Sequence, residues 1–452
     1  MDDRRQGDNS TSEPASGTDA GDMAERKLKP AAGNPWYVLA TIHGEQTGEG
    51  IETNLLARNR RTWNRWIAVA LDDEARQALV EKHGVDPGDL VPFRPEEFAE
   101  IQALLAGRPE DVKLPKPGTP EALAIVDFSG VEFESLFVAG GFVFPGLADF
   151  SGATFRGEAW FGDATFRGAA VFRGATFRRY AWFDGATFRS HANFVGATLR
   201  NYANFDRVTF RSWAVFEDAA FRRDASFRGA IFRGGALFCR TVFKAATTFD
   251  GVRFVRSPDF RDAKLPFATT WEDVTWPTPT GEAAKDDRRH YAALRHAMDT
   301  VKLHDAELDF FVRELQAKRF ADIPRLRRLA IDGYLLLADG GRSFGRPALA
   351  WLMALAAGFV SQTLALVPEG PAMPSPNLLA ETLRLSFASA LVVGAPVFDP
   401  RRLQALEEAV HYAGGIDGFP LWLQLAQLAH AGFSALCLFL MALAIRNWLR
   451  LR

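Results

Sequence analysis

The chain has 452 residues, with 53 Lys and Arg against 55 Asp and Glu, for a net charge of −2. That length admits two to four domains, and near-neutrality excludes a whole-molecule pull on nucleic acid or another polyanion. Its 38 Phe against six Tyr are a bias that a globular core has no use for and a repeat does.

Residues 1–28 open the chain. Met1 to Met23 is rich in Asp, Ser, Thr, Gly and Gln and has no apolar stretch of signal-peptide type, so a disordered tail on a non-exported N-terminal half is expected. Residues 29–120 are expected to form a small α/β capping region. Trp36 to Ile42 is strand-like, Glu52 to Ala68 is predicted as a helix, and Asp72 or Asp73 as the cap of a further helix through Lys82. Such a cap would cover the open end of the repeat that follows, where edge strands and Phe faces would otherwise stand bare.

The repeat occupies residues 121–278. From Phe150 an aromatic side chain recurs at Phe155, Phe161, Phe166, Phe172, Phe177, Phe183, Phe188 and Phe194, and after Leu199 the run continues from Phe205 to Phe260. The steps alternate between five and six residues without an error. Two residues before each site from Phe155 to Phe238 stands Ala, with Val208 the exception. A helix would scatter sites five and six apart over its faces, and a plain strand needs a period of two. Short sides of chain wound about an axis satisfy the spacing, each side pointing one large and one small residue inward. Stacked at about 4.8 Å per coil, residues 22 apart such as Phe150, Phe172, Phe194, Phe216 and Phe238 then form a core column, each contributing roughly 1.5–3 kcal/mol by burial.

Units such as Ala153-Thr154-Phe155-Arg156-Gly157 and Ala175-Thr176-Phe177-Arg178-Arg179 resemble the pentapeptide-repeat family. The resemblance implies a β-solenoid, a right-handed quadrilateral β-helix in which each unit is one side. The extra residue of every second side recurs every 11 positions, so in a four-sided coil it would stack on two opposite corners. Outside the rod, Arg156, Arg178, Arg200, Arg222 and Lys244 would fall in one column and Arg167, Arg189, Arg211 and Arg233 in the opposite one. Two readings stay open: an ordinary solvated surface, or a ladder for an anionic partner, whether acidic protein, phosphate or lipid headgroups. Some family members imitate DNA with an acidic rod. Here residues 150–262 hold 18 Lys or Arg against 10 Asp or Glu, the wrong sign for mimicry, and no nucleic-acid partner is expected.

Residues 284–340 read as an amphipathic helical linker. Tyr291, Leu294, Met298, Val301, Leu308, Val312 and Leu315 form a stripe between Asp286 and Arg319, to be spent either on the last coil or in a coiled-coil contact. Residues 346–452 are expected to be an α-helical transmembrane region, with spans at about 347–367 and 419–445. Between them, 378–398 carries Glu381 and Arg384 and suits a re-entrant or interfacial segment. Arginines before the first span (Arg325, Arg327, Arg328, Arg342, Arg346) and after the last (Arg446, Arg450, Arg452) point to both ends in the cytoplasm, and the family resemblance implies that the membrane is a bacterial inner membrane. This outline looks like a worn version of the two-helix pore module of some pentapeptide-repeat proteins, with Val393, Gly394 and Ala395 where a selectivity filter would stand. Pro396 follows, where a filter needs glycine.

Cys239 and Cys437 make no CxxC pair, zinc spacing or disulfide framework and read as incidental thiols. No nucleophile elbow, metalloprotease motif or phosphate loop occurs, so neither catalysis nor a cofactor is expected. The expected role is a membrane-anchored scaffold, with a homo-oligomeric, channel-like protein as the alternative.

Overall fold

The computed structural model describes residues 28–47, 50–69, 71–106, 124–278, 284–300, 304–321, 323–366, 374, 376–390, 408 and 421–450. The expected tail to residue 27 and the pore-like segment Val393, Gly394 and Ala395 lie outside them. The chain divides into two compact units, 1–230 and 231–452.

The first unit begins with helices. Lys29–Pro30 pairs in parallel with Val131–Glu132 of the first coil. Asn34 then starts a helix, α1 (Pro35–Ala40), by accepting from the backbone N–H groups of Trp36 and Tyr37. This corrects the strand expected over Trp36–Ile42. A short apolar run buried on all sides has no period to read, and the Asn-Pro start decides for helix. α2 (Thr53–Ala68) and α3 (Asp73–His83) follow, the latter capped by Asp72 through the Ala75 N–H at 2.7 Å, and α4 (Pro95–Ala106) is held to α2 by Arg65 and Glu97 at 2.5 Å. The group covers the first coils. Trp63 stacks on Phe142 at 5.0 Å and donates to the Val143 carbonyl at 2.9 Å, and Tyr37 lies against Phe133 and Phe137.

The solenoid is four-sided. Thr154–Phe155, Ala159–Trp160, Thr165–Phe166 and Ala170–Val171 are successive two-residue strands, and each pairs in parallel with the strand 22 residues on. The chain makes about seven such turns. The alternation of five and six has a backbone cause. Every 11 residues the five-residue side closes on a left-handed residue, as at Asp163, Gly174, Gly185 and Gly196, which turns the corner tightly. The six-residue sides have no such left-handed residue at their corners. Inside, rings stack along the axis and meet edge-on across it. Phe172 lies 4.8 Å from both Phe150 and Phe194 at 4° and 6°, and 5.4 Å from Phe183 at 87°.

In the second unit the coils continue through Trp276, with Phe238 over Phe260, Phe249 over Trp271 and Phe254 over Trp276. The single stripe expected over Asp286–Arg319 is two helices, α5 (Ala284–Thr300) and α6 (His304–Lys318), which fold back on each other with Arg295 against Glu314 at 3.2 Å. Folding back lets both helices reach the last coil. The Tyr291 hydroxyl donates to the Pro277 carbonyl at 3.0 Å, and Phe310 meets Trp276 edge-on at 4.9 Å. The stripe is thus spent on the coil end. α7 (Arg325–Ala338), α8 (Gly345–Leu366), α9 (Pro376–Ala390) and α10 (Leu421–Arg450) complete the unit.

Candidate functional sites: two arginine columns and a helix pair

Each column arginine is held by the coil beneath it. The backbone N–H groups of Arg178, Arg200 and Arg222 donate to the carbonyls of Phe155, Phe177 and Leu199 at 2.8–2.9 Å, and those of Arg167, Arg189 and Arg211 to Phe144, Phe166 and Phe188 at the same distances. The side chains therefore repeat at the coil spacing, on opposite sides of the rod. Adjacent guanidinium groups at that spacing repel by only about 1 kcal/mol in water.

The columns are not equivalent. Arg156, Arg178, Arg200 and Arg222 are exposed, while Arg167, Arg189 and Arg211 are half-buried. Leu71 and Pro145 join Arg167, Gly168 and Arg189 around a shallow cleft of about 390 Å³. Burial there, and the neighbouring charge of Arg189, lower the pKa of Arg167, with Asp72 opposing them. At the start of the exposed column Arg156 pairs with Glu132 and Glu134, and the hydrogen bond to Glu132 raises its pKa. Arg233 and Lys244, in the second unit, are also exposed.

The wall between the two columns holds a feature that sequence reasoning missed. Trp160 and Trp182 lie 5.3 Å apart on the outside, Tyr180 and Tyr202 flank Trp182, and the Trp182 indole N–H donates to Glu158 at 3.3 Å. Asp184 stands nearby, its pKa raised by burial and by Asp163. The repeated Ala-Trp-Phe at 159–161 and 181–183 was the available signal.

A second polar group sits where α5 meets the last coils. The Ser257 hydroxyl lies 2.9 Å from His290 Nδ1 and donates to Asp287, while Asp259 binds Arg261 and lies 3.6 Å from His290. Serine, histidine and aspartate suggest a nucleophilic site, but Ser257 is 7% exposed and Asp259 1%. The group ties helix to coil. Burial would raise the Asp259 pKa, and hydrogen bonds from Arg261 and Cys239 more than reverse it. At the α5–α6 turn, Asp299, His304 and Glu307 bring ligand atoms within 4.8 Å of one another and could hold a cation.

α8 and α10 are long and apolar enough to cross a membrane, and only 22% of their most apolar stretches is buried. They run antiparallel. Asn447 donates to the Gly341 carbonyl at 3.1 Å, and Gly358 faces His430 so closely that a Cβ there would lie 2.7 Å from the ring. The offsets 358 − 341 and 447 − 430 are both 17, so the first residues of α8 and the last of α10 share one end. Against them lies α9. Thr363 meets Thr382 at 3.0 Å, Ser386 donates to Gln362 at 2.8 Å, and Trp351 reaches the Ala390 carbonyl at 3.4 Å. α9 therefore starts beside the Leu366 end of α8 and runs antiparallel to it. Buried hydroxyl and amide contacts of this kind also join helices within membranes.

Set beside known proteins, the coils find their family. The family described as Pentapeptide repeats (9 copies) matches residues 139–187, 150–198 and 194–240. The middle of this chain is a pentapeptide-repeat solenoid, joined here to N-terminal helices and to two C-terminal helices able to span a membrane. No curated protein and no solved structure matches the chain.

Proposed function

We propose that this protein is a non-enzymatic scaffold, anchored in the bacterial inner membrane by α8 and α10 with both chain ends in the cytoplasm, whose solenoid offers its exposed arginine column to an anionic partner. One observation carries the reading: Arg156, Arg178, Arg200 and Arg222 stand exposed at regular spacing on a closed, rigid wall, while the opposite column is half-buried. Preset spacing removes most of the ordering entropy that a flexible basic segment would lose on binding. Guanidinium groups pair bidentately with carboxylates or phosphates.

The test uses the full chain in nanodiscs. Arg178→Glu, Arg200→Glu and Arg222→Glu together should abolish binding to acidic peptides and to separate phosphatidylglycerol vesicles, the two arms separating a protein partner from headgroups. The matching reversal of Arg167, Arg189 and Arg211 should weaken binding less. Equal effects, or none from the first set, return the column to ordinary solvation. The packing of α9 back along α8 favours a second reading, an oligomeric pore regulated by the solenoid. Selective ion flux from purified protein in liposomes would put that reading first.

A further inference from the structure

We infer that α7 is an interfacial helix, lying in the headgroup layer of an anionic phospholipid leaflet beside the point where α8 enters it. The inference rests on the reading of α8 and α10 as membrane spans.

Two faces of α7 are apolar. On one, Ile331 and Ala338 are 9% and 0% exposed and Tyr334 is half-buried, packed within the unit. On the other, Leu326, Leu329 and Leu336 are 79%, 69% and 75% exposed. With Ala330 and Gly333 between them they follow the spacing of one helix face: three, four, seven and ten residues from Leu326. A stripe so open to solvent marks an interaction surface.

Position and charge choose its occupant. Residues 339–344 alone separate α7 from α8, and Asn447 holds the Gly341 carbonyl between them to the last turns of α10. Tyr334 of α7 lines a cleft of about 350 Å³ with Leu443, Arg446 and Asn447 of α10. The stripe is thus fixed at the end of the helix pair, and exposed Phe344, Leu349, Leu352 and Met353 carry the apolar surface on into α8. The N-terminal turn presents exposed Arg325, Arg327 and Arg328, with no acidic residue in that turn. A basic end and an apolar face suit the boundary of headgroups and acyl chains, and arginines there are drawn to anionic lipid. A second copy docked in parallel on the same face would set like charges against each other.

The test places bimane on the full chain in phosphatidylglycerol nanodiscs, at Leu329→Cys and at Leu352→Cys in α8. The native thiols of Cys239 and Cys437 are buried. At Leu329→Cys, lipids brominated near the headgroup should quench at least about twofold more than deeply brominated ones, with little quenching by aqueous iodide. Leu352→Cys should prefer the deep quencher. Access of the neutral quencher acrylamide at Leu326→Cys should rise about threefold in zwitterionic discs, and equal access in both lipids overturns the anionic assignment. Free iodide access at Leu329→Cys with deep quenching at Leu352→Cys overturns the inference and leaves the spans standing. Shielding of Leu329→Cys from both quenchers overturns it in favour of a protein contact. Iodide access at Leu352→Cys overturns the spans and the inference together.

Discussion

Phe172 tests whether the ring columns hold the solenoid together. Its side chain is fully buried, with Phe150 and Phe194 stacked at 4.8 Å on either side and Phe161 and Phe183 edge-on at 5.6 and 5.4 Å. Phe172→Ala removes the buried ring and leaves a cavity that the closed wall cannot collapse, a loss of about 3–5 kcal/mol. Phe172→Leu keeps most of the volume and gives up the ring pairs, for a loss of about 1–2 kcal/mol. The chain itself accepts this exchange, because Leu199 takes a ring position in the register of Phe177. Each coil touches only its neighbours, so the loss should stay local. Hydrogen exchange of the full chain reads it directly. Amides of the coils around Phe172 should exchange about a hundred- to several-thousandfold faster in Phe172→Ala and about tenfold faster in Phe172→Leu. Unchanged protection in Phe172→Ala refutes the column argument. A uniform rise over residues 124–230 refutes the local one.

The cap gives two further predictions. Trp63→Ala deletes the stack on Phe142 and the hydrogen bond to the Val143 carbonyl, so about 3–5 kcal/mol should be lost, seen as faster exchange in residues 131–144, with residues 190–230 unchanged. The Arg65 hydrogen bond, with help from Arg94, holds Glu97 down to about 2 from 4.5. A depressed folded-state pKa stabilises above the unfolded value, so α4 docking should be complete above pH 4.5 and weaken as pH falls towards 2. A fluorophore pair on α2 and α4 follows this, and the same acid response in Glu97→Gln would assign it elsewhere.

The solenoid was legible because its inward side chains obey one period, and that period is set by backbone geometry shared by every coil. Ala153 and Phe155 read the same way as Ala175 and Phe177 because they do the same thing 22 residues apart. The α1 helix was not legible. Trp36 to Ala40 is buried on every side, and only the Asn34 cap separates helix from strand. The break between α5 and α6 was hidden for a different reason. Tyr291 and Phe310 belong to one surface only after the chain folds back, and a periodic stripe carries no record of its partner. Exposure was equally invisible. Arg178 and Arg189 have the same local sequence role, and what distinguishes them is Leu71 and its neighbours, far away along the chain.

That last difference bears on how the rod is read by a partner. An 11-residue period alone makes opposite walls alike, so a ligand matched to the arginine spacing would find two equivalent faces half a turn apart. The first unit breaks that equivalence at its beginning. Arg167 and Arg189 border the cleft with Leu71 and Pro145, whereas Arg178 and Arg200 stand clear in solvent. At the foot of the open column, Arg156 is occupied by Glu132 and Glu134, and Arg178, Arg200 and Arg222 follow it as the exposed run of that column. On the proposed reading, a rigid partner would therefore meet one face in preference to the other. A preference for one face comes from the ends of the repeat and not from the repeat itself, because successive half-turns are alike.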